Sequence, residues 1–241
     1  MIVCGNIVQT LMNLFKDLLS LLFPRYCKVC GRRLMHCEQH LCISCLLDLP
    51  RTHYESNHNN LLMQHFMEWP EVVRATAYFN YYKEGRYSKL IHALKYHDQP
   101  EIGIFLGRLA VTELRASGFF EGLDLIIPIP LSKKRLRKRG YNQCEYIARG
   151  IGEVTGVVLC ADCVERIVDT DTQTHKGRVE RWKNTEGIFR VTKPEELMGK
   201  HVLIVDDVAT TGATFHACIS ALLTIPGVRV SVFALAMAKD A

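Results

Sequence analysis

The chain has 241 residues, 48% of them hydrophobic, with a net charge of +5 and ten cysteines. This supplies the core of one α/β domain of ordinary size plus a small module, and it excludes global disorder. No apolar run reaches the roughly 20 residues a membrane span needs. The N-terminal apolar stretch carries Lys16 and Asp17 and lacks a basic lead, so it does not read as a secretion signal. Ten cysteines without an export signal point to free thiols or metal in a reducing compartment, and the expected location is the cytoplasm. The charge is local. Lys133–Arg139, KKRLRKR, holds six of the 30 basic residues, and the rest balance the 25 acidic ones to within one charge. A patch of this kind implies an anionic partner.

Residues 7–23, IVQTLMNLFKDLLSLLF, place Ile7, Leu11, Leu14, Phe15, Leu18 and Leu22 on one helical face. With Lys16 as its only cation, residues 1–23 read as an amphipathic helix that packs on its own protein rather than on a membrane surface. Pro24 ends it. Cys27-Lys28-Val29-Cys30 and Cys42-Ile43-Ser44-Cys45 follow. Two C-x2-C knuckles at this separation resemble a zinc ribbon: each turn offers two thiolates, and two turns complete a tetrahedral S₄ site. Cys27, Cys30, Cys42 and Cys45 are the expected ligands of a structural zinc over residues 24–50, with His36, Cys37 and His40 between the pairs as possible substitutes. Residues 51–70, rich in Asn and His, read as a solvated linker.

A second domain is expected over residues 71–241. Val72 to Tyr82 reads as a strand; two helices follow, with Leu90, Ile91 and Leu94 and then Ile102, Phe105, Leu106 and Leu109 as their buried faces. Asp124–Pro130 is a short buried strand, and a helix spans 141–155. Val157–Leu159 starts another strand. The third C-x2-C, Cys160 and Cys163, has no partner pair and reads as structural. Residues 169–184 are polar and mostly aperiodic. Val202–Val205 is a β-branched, fully apolar run, hence a buried strand. Asp206 and Asp207 come next, then Ala209-Thr210-Thr211-Gly212-Ala213-Thr214, then a helix with Phe215, Cys218, Ile219 and Leu222 on one face. Small residues let a phosphate approach backbone N–H groups at a helix N-terminus, and the threonines add hydroxyls. Two carboxylates beside it suit hydroxyl groups or Mg²⁺. A phosphate next to a diol is a ribose 5-phosphate. Val228–Ala236 supplies a last strand.

The stretch VLIVDDVATTGAT resembles the phosphoribosyl diphosphate (PRPP) signature of type I phosphoribosyltransferases. PIPLSKKRLRKRGYNQ, residues 128–143, resembles a signature of the ComF/GntX family, in which a phosphoribosyltransferase-like domain follows an N-terminal zinc module. Thr170, Gln173, Arg178, Arg181 and Asn184 resemble the flexible loop of the same family. The resemblance implies a parallel α/β sheet flanked by helices, of the type I phosphoribosyltransferase kind, with ligands at the carboxyl ends of the strands. It implies PRPP with Mg²⁺ as ligand, Asp206 and Asp207 on the ribose hydroxyls in the catalytic role, and Ala209–Thr214 on the 5-phosphate. Leu131, Ser132, Lys133 and Arg139 would hold the pyrophosphate, and Gln173 and Arg181 would close over the substrate. The activity implied is phosphoribosyl transfer to an unspecified acceptor. Pyrophosphate needs one or two cations, however. The surplus in Lys133, Lys134, Arg135, Arg137, Lys138 and Arg139 points to a longer polyanion. The alternative implied by the family name is therefore a non-catalytic accessory factor that handles single-stranded DNA, with DNA-uptake proteins as partners.

Overall fold

The computed structural model describes residues 24–96, 99–168 and 187–239. The N-terminal segment 1–23 and the loop with Gln173 and Arg181 lie outside them. The chain divides into two compact units at Leu49/Pro50.

The smaller unit is built from short-range hydrogen bonds. An antiparallel bridge between Tyr26 and Arg33 closes the first knuckle. Within it, Cys27 N–H donates to Arg32 O at 2.8 Å and Gly31 N–H to Cys27 O at 2.9 Å. The second knuckle opens a short helix, α1 (Ile43–Leu47), whose N-cap is Cys42: its Sγ accepts from Cys45 N–H. Glu38 braces the two. Its buried carboxylate accepts from the backbone N–H of Met35 (2.7 Å) and of Ile43 (2.8 Å) and from Arg32 (2.7 Å).

In the larger unit the elements run β1 (Val72–Tyr82), α2 (Ser88–Tyr96), α3 (Glu101–Leu114), β2 (Leu125–Pro128), α4 (Lys133–Arg139), α5 (Gln143–Thr155), β3 (Val158–Leu159), β4 (Val164–Arg166), β5 (Phe189–Val191), α6 (Pro194–Leu197), β6 (His201–Ala209), α7 (Ala213–Leu222) and β7 (Arg229–Lys239). Five strands form one sheet in the order β1-β7-β6-β2-β3, and every pairing in it is parallel. A parallel sheet is covered on both faces, which is why β6 and β7 read as continuous apolar runs rather than alternating ones. β4 and β5 pair separately as an antiparallel hairpin. Helices α3 and α5 cross at very close range. A Cβ on Gly107 would strike the carbonyl oxygen of Ile147, and one on Gly150 the carbonyl oxygen of Ile104.

The order of connections matters for function. From β2 the chain moves outward to β3; from β6, its neighbour, it moves the opposite way to β7. The carboxyl ends of β2 and β6 therefore flank a topological switch point, where a crevice opens in sheets of this kind. β6 pairs with β2 only as far as Val205, opposite Pro128, but with β7 as far as Ala209. Asp206 and Asp207 thus lie inside β6 yet past the end of its β2 ladder. This corrects the expectation that the strand stops before the acidic pair.

The expected linker, 51–70, is also corrected. It belongs to the larger unit, where Arg51 bridges Phe79. Leu62 and Phe66 are fully buried in the core with Phe215 and Ile219 of α7. Asn60 is buried as well: its amide donates to Ala75 O at 2.8 Å, and its Oδ1 accepts from the N–H groups of Leu62 and Met63. His53, Asn57, His58 and Asn59 are exposed, as their type suggested, but Asn60 satisfies backbone groups inside irregular packed chain. Among the described residues no helix is long and apolar enough to cross a membrane.

Candidate functional site

Two sites stand out, one in each unit. In the smaller unit, the Sγ atoms of Cys27, Cys30, Cys42 and Cys45 all lie within 4.8 Å of one another. Cys27, Cys42 and Cys45 are buried and Cys30 is exposed. Backbone N–H groups point at the sulfurs: Cys42 N to Cys27 Sγ at 3.4 Å and Cys45 N to Cys42 Sγ at 3.5 Å. Burial alone would raise the Cys27 thiol, but the N–H groups of Cys30, Cys42 and Val29 outweigh it and bring it down to about 6. A site that stabilises thiolates before any ion arrives fits a thiophilic metal such as zinc. Four protein sulfurs would fill a tetrahedral ion's positions and leave none open for substrate. Among the described residues His36, Cys37 and His40 are not part of this group.

In the larger unit the switch point holds the acidic pair. Asp206 is half-buried and Asp207 buried. Their partners come from other elements. Lys95, from the last turn of α2, places its ammonium 2.8 Å from Asp207 Oδ2. Gln143, the first residue of α5, donates to the same oxygen at 3.1 Å. Gln143 Oε1 in turn accepts from Arg139 at 2.8 Å, and the Arg139 guanidinium lies over the Tyr96 ring. A relay therefore runs Arg139–Gln143–Asp207–Lys95. Asp206 Oδ1 accepts from the Asp207 N–H at 2.8 Å and from the Cys144 thiol at 3.2 Å.

These contacts set the electrostatics. Burial and the neighbouring Asp207 charge push Asp206 up to about 7. Burial, with the charge of Asp206, pushes the Cys218 thiol up to about 12, and burial with both aspartates keeps Cys144 well above its ordinary value. Both cysteines are therefore neutral, and neither is a nucleophile at neutral pH. Burial alone would lower Lys95, but the Asp207 carboxylate outweighs it and holds the ammonium above its ordinary value.

The loop Ala209–Thr214 leads from this pair into α7. Gly212 is the N-cap, with φ +74°, and no side chain caps the helix. The left-handed backbone requires glycine there. A Cβ on it would also lie 3.4 Å from the side chain of His65. Thr210 and Thr214 are exposed; Thr211 and Ala213 are half-buried. The former linker walls one side: His216 of α7 bonds His65 O at 2.8 Å and lies against the Trp69 ring at 4.2 Å.

The basic run forms α4. Ser132 is its N-cap, its hydroxyl accepting from Arg135 N–H, and Gly140 ends it. Leu131 joins β2 to this cap. Lys133, Lys134, Arg137 and Lys138 are exposed, whereas Arg135 and Arg139 are half-buried. Arg139 of this run reaches the acidic pair through Gln143. Sequence reasoning missed Lys95, Gln143 and Cys144. Lys95 looks like an ordinary solvated lysine at the end of an amphipathic helix. The one available signal was Gln143-Cys144 at the start of a helix directly after a basic run.

A parallel sheet with helices on its faces, an acidic pair at the switch point and an uncapped, small-residue helix entry together define a phosphoribosyltransferase-like fold. The solved structures it matches include an adenine phosphoribosyltransferase (15% identity, TM-score 0.37, 63% of this chain and 75% of that one). Another is the allosteric regulatory enzyme of purine biosynthesis (17% identity, TM-score 0.38, 58% of this chain and 29% of that one). No protein-family model matches the chain. Among curated relatives, the DNA utilization protein YhgH of Salmonella typhimurium is 30% identical over 212 residues, 87% of this chain and 88% of that protein. Competence protein F of Haemophilus influenzae is 30% identical over 221 residues, 90% of this chain and 86% of that protein. The chain belongs to the ComF family.

Proposed function

We propose that the larger unit binds PRPP or a related ribose 5-phosphate ligand in the crevice at the carboxyl ends of β2 and β6. One observation carries this reading: the acidic pair and the uncapped α7 N-terminus stand side by side where β6 has lost its β2 neighbour. The 5-phosphate takes the N–H groups and hydroxyls of Ala209–Thr214, and the ribose hydroxyls donate to Asp206 and Asp207. Lys95 already stands on Asp207, so the pair is not an open two-carboxylate metal site. Mg²⁺ would enter with the ligand, beside Asp206, and would neutralise charge on the diphosphate. Arg139, with Leu131, Ser132 and Lys133 at the entry to α4, faces the diphosphate. Gln173 and Arg181 complete the binding set. With an acceptor bound, its nucleophilic atom displaces pyrophosphate at C1 of the ribose. The protein's contribution is positioning and charge stabilisation rather than covalent catalysis.

The test is calorimetric titration of PRPP with Mg²⁺ into the wild type and into Asp206→Asn/Asp207→Asn. We expect at least a roughly tenfold loss of affinity, the size of one or two charge-assisted hydrogen bonds. Equal affinity in the two proteins refutes the site. Pyrophosphate release against a panel of bases and amines then decides whether the bound ligand reacts.

A second reading, compatible with the first, places single-stranded DNA on α4. It is favoured by the exposure of Lys133, Lys134, Arg137 and Lys138 along one seven-residue helix, and by the names of the relatives. Binding should weaken steeply with salt, with a log–log slope of about −3 if four phosphates are contacted. Changing those four residues to Gln should bring the slope close to zero. A wild type that shows no salt-sensitive binding to a single strand disposes of this reading.

A further inference from the structure

Cys160 and Cys163 are joined in a disulfide, while the other seven described cysteines are free. The setting of this bond is unlike that of a structural staple. It links residues only three apart, with their Cα atoms 5.5 Å from each other. So short a closed loop removes little entropy from the unfolded chain, and such a bond adds little stability. The same chain also carries an exposed free Cys37 and a four-thiol group suited to metal, features that need reducing surroundings. A disulfide in that company is one that opens and closes.

The neighbours supply the chemistry for both states. Glu196 Oε2 lies 3.8 Å from each sulfur, and Asp162 Oδ1 lies 3.6 Å from Cys160 Sγ. Lys193 balances both carboxylates, at 2.9 Å from Asp162 and 3.5 Å from Glu196. When the pair is reduced, each S–H has a carboxylate acceptor in place, so neither thiol is left as an unsatisfied buried group. The pair also sits at a junction. Cys160 N–H extends the β3 edge by donating to Ile126 O, and Cys163 O receives Thr192 N–H beside the β4–β5 hairpin. The bond ties the edge of the main sheet to that hairpin.

We propose that Cys160 and Cys163 form a reversible dithiol–disulfide site that exchanges with small thiols. In the oxidising direction Cys160, the less buried residue of the pair at 5% exposure, loses its proton to solvent, and its thiolate attacks one sulfur of a glutathione disulfide. One glutathione leaves as a thiol. Cys163 then loses its proton, attacks the Cys160 sulfur of the mixed disulfide and expels the second glutathione. Two protein thiols and one glutathione disulfide become one protein disulfide and two glutathiones, two electrons passing to glutathione. The reducing direction is the reverse.

The test equilibrates the zinc-loaded full chain in a series of oxidised-to-reduced glutathione ratios without denaturant. Free thiols are then capped with a maleimide, and the peptide holding both cysteines is weighed. We expect it to pass from a peptide carrying two maleimides to an uncapped one whose mass is two hydrogens below that of the free dithiol, and to return when reduced glutathione is restored. Hydrogen exchange should be about tenfold faster in Val164–Arg166 and Phe189–Val191 of the reduced form, since the tie to β3 is gone. In Cys160→Ser that difference should vanish. A bond that reduced glutathione opens only after unfolding makes the pair a structural staple and overturns the proposal. So does a pair that stays reduced at every ratio. A second equivalent of zinc, lost in Cys163→Ser, would make the place a metal site instead.

Discussion

The cysteine group of the small unit and the acidic crevice of the large one are both clusters of ionisable side chains, assembled in opposite ways. The first draws all four sulfurs from residues 27 to 45, held by turns and by N–H groups of the same stretch. The second gathers Lys95, Arg139, Gln143, Cys144 and the two aspartates from four elements, with partners 62 and 64 residues apart in sequence. A local cluster stands or falls with its ion. A distributed one stands or falls with the packing of helices that carry its parts, including packing well away from the carboxylates.

The strongest way to break this comparison is to remove the metal. Chelation, or Cys42→Ser, should unfold residues 24–49, because the binding free energy of a structural zinc, about 10–16 kcal/mol, is also folding free energy. Metal content and the amide spectrum of those residues report it, and the melting of the larger unit should be unaffected. If residues 24–49 keep their spectrum without metal, the cluster is not what holds them.

The next test acts on the crevice from a distance. Gly150→Ala forces a methyl group into the Ile104 carbonyl at the α3–α5 crossing. We expect a loss of about 3 kcal/mol, seen as a fall in Tm of roughly 6–10 °C. Displacing α5 also displaces Gln143 and Cys144, so PRPP affinity should fall with stability. Unchanged affinity in the folded variant would show that the acidic pair does not depend on this packing.

A smaller effect is expected inside the relay. Lys95→Met leaves Asp207 buried without its cation, at a cost of about 2–3 kcal/mol. The figure sits at the low end of such losses because Lys95 keeps 21% of its side chain exposed. Adding Asp207→Leu should restore most of that stability while leaving PRPP binding weak. A double variant that costs the sum of the two single changes would mean the pair is not coupled.

A further effect on the acidic pair is one of pH. Asp206 is raised to about 7 in the folded chain, against an ordinary carboxyl near 4 when unfolded. Between those values the folded state binds the proton and the unfolded state does not. Stability from this group is therefore fully present below about pH 4 and is lost as the pH rises toward 7. Asp206→Asn should flatten the fall of Tm over that window and make the protein more stable at neutral pH, though poorer in ligand binding. An identical pH profile in the variant would contradict the assigned environment.

Much of the fold was legible, and the reasons are specific. β-Branched and aromatic residues marked β1, short apolar runs marked β2 and β6, and 3.6-residue periodicity marked α2, α3 and α7. The segment 51–70 was misread because its buried anchors, Leu62 and Phe66, are too few to form a period, and its Asn and His residues mimic solvent-facing chain. A strand at Phe189 was expected, but β4, its pairing with that strand, and helix α6 were missed because each element is only three or four residues long. At the candidate site, Asp206, Asp207 and the loop to Thr214 were visible because one continuous stretch encodes them. Lys95 was invisible because nothing in SKLIHALKY says what its last turn will meet.

By itself the sequence determined what short-range geometry determines: two thiolate knuckles at ligand spacing, a buried strand ending in carboxylates, and a glycine-bearing helix entry. Each depends on turns and hydrogen bonds closed within a few residues. Only the tertiary structure decided that β6 outruns β2 to open a crevice, that an ammonium from α2 stands on Asp207, and that Cys160 meets Cys163 beside Glu196. Those outcomes depend on which elements pack together, and packing is settled by burial summed over the whole chain rather than by any one stretch of it.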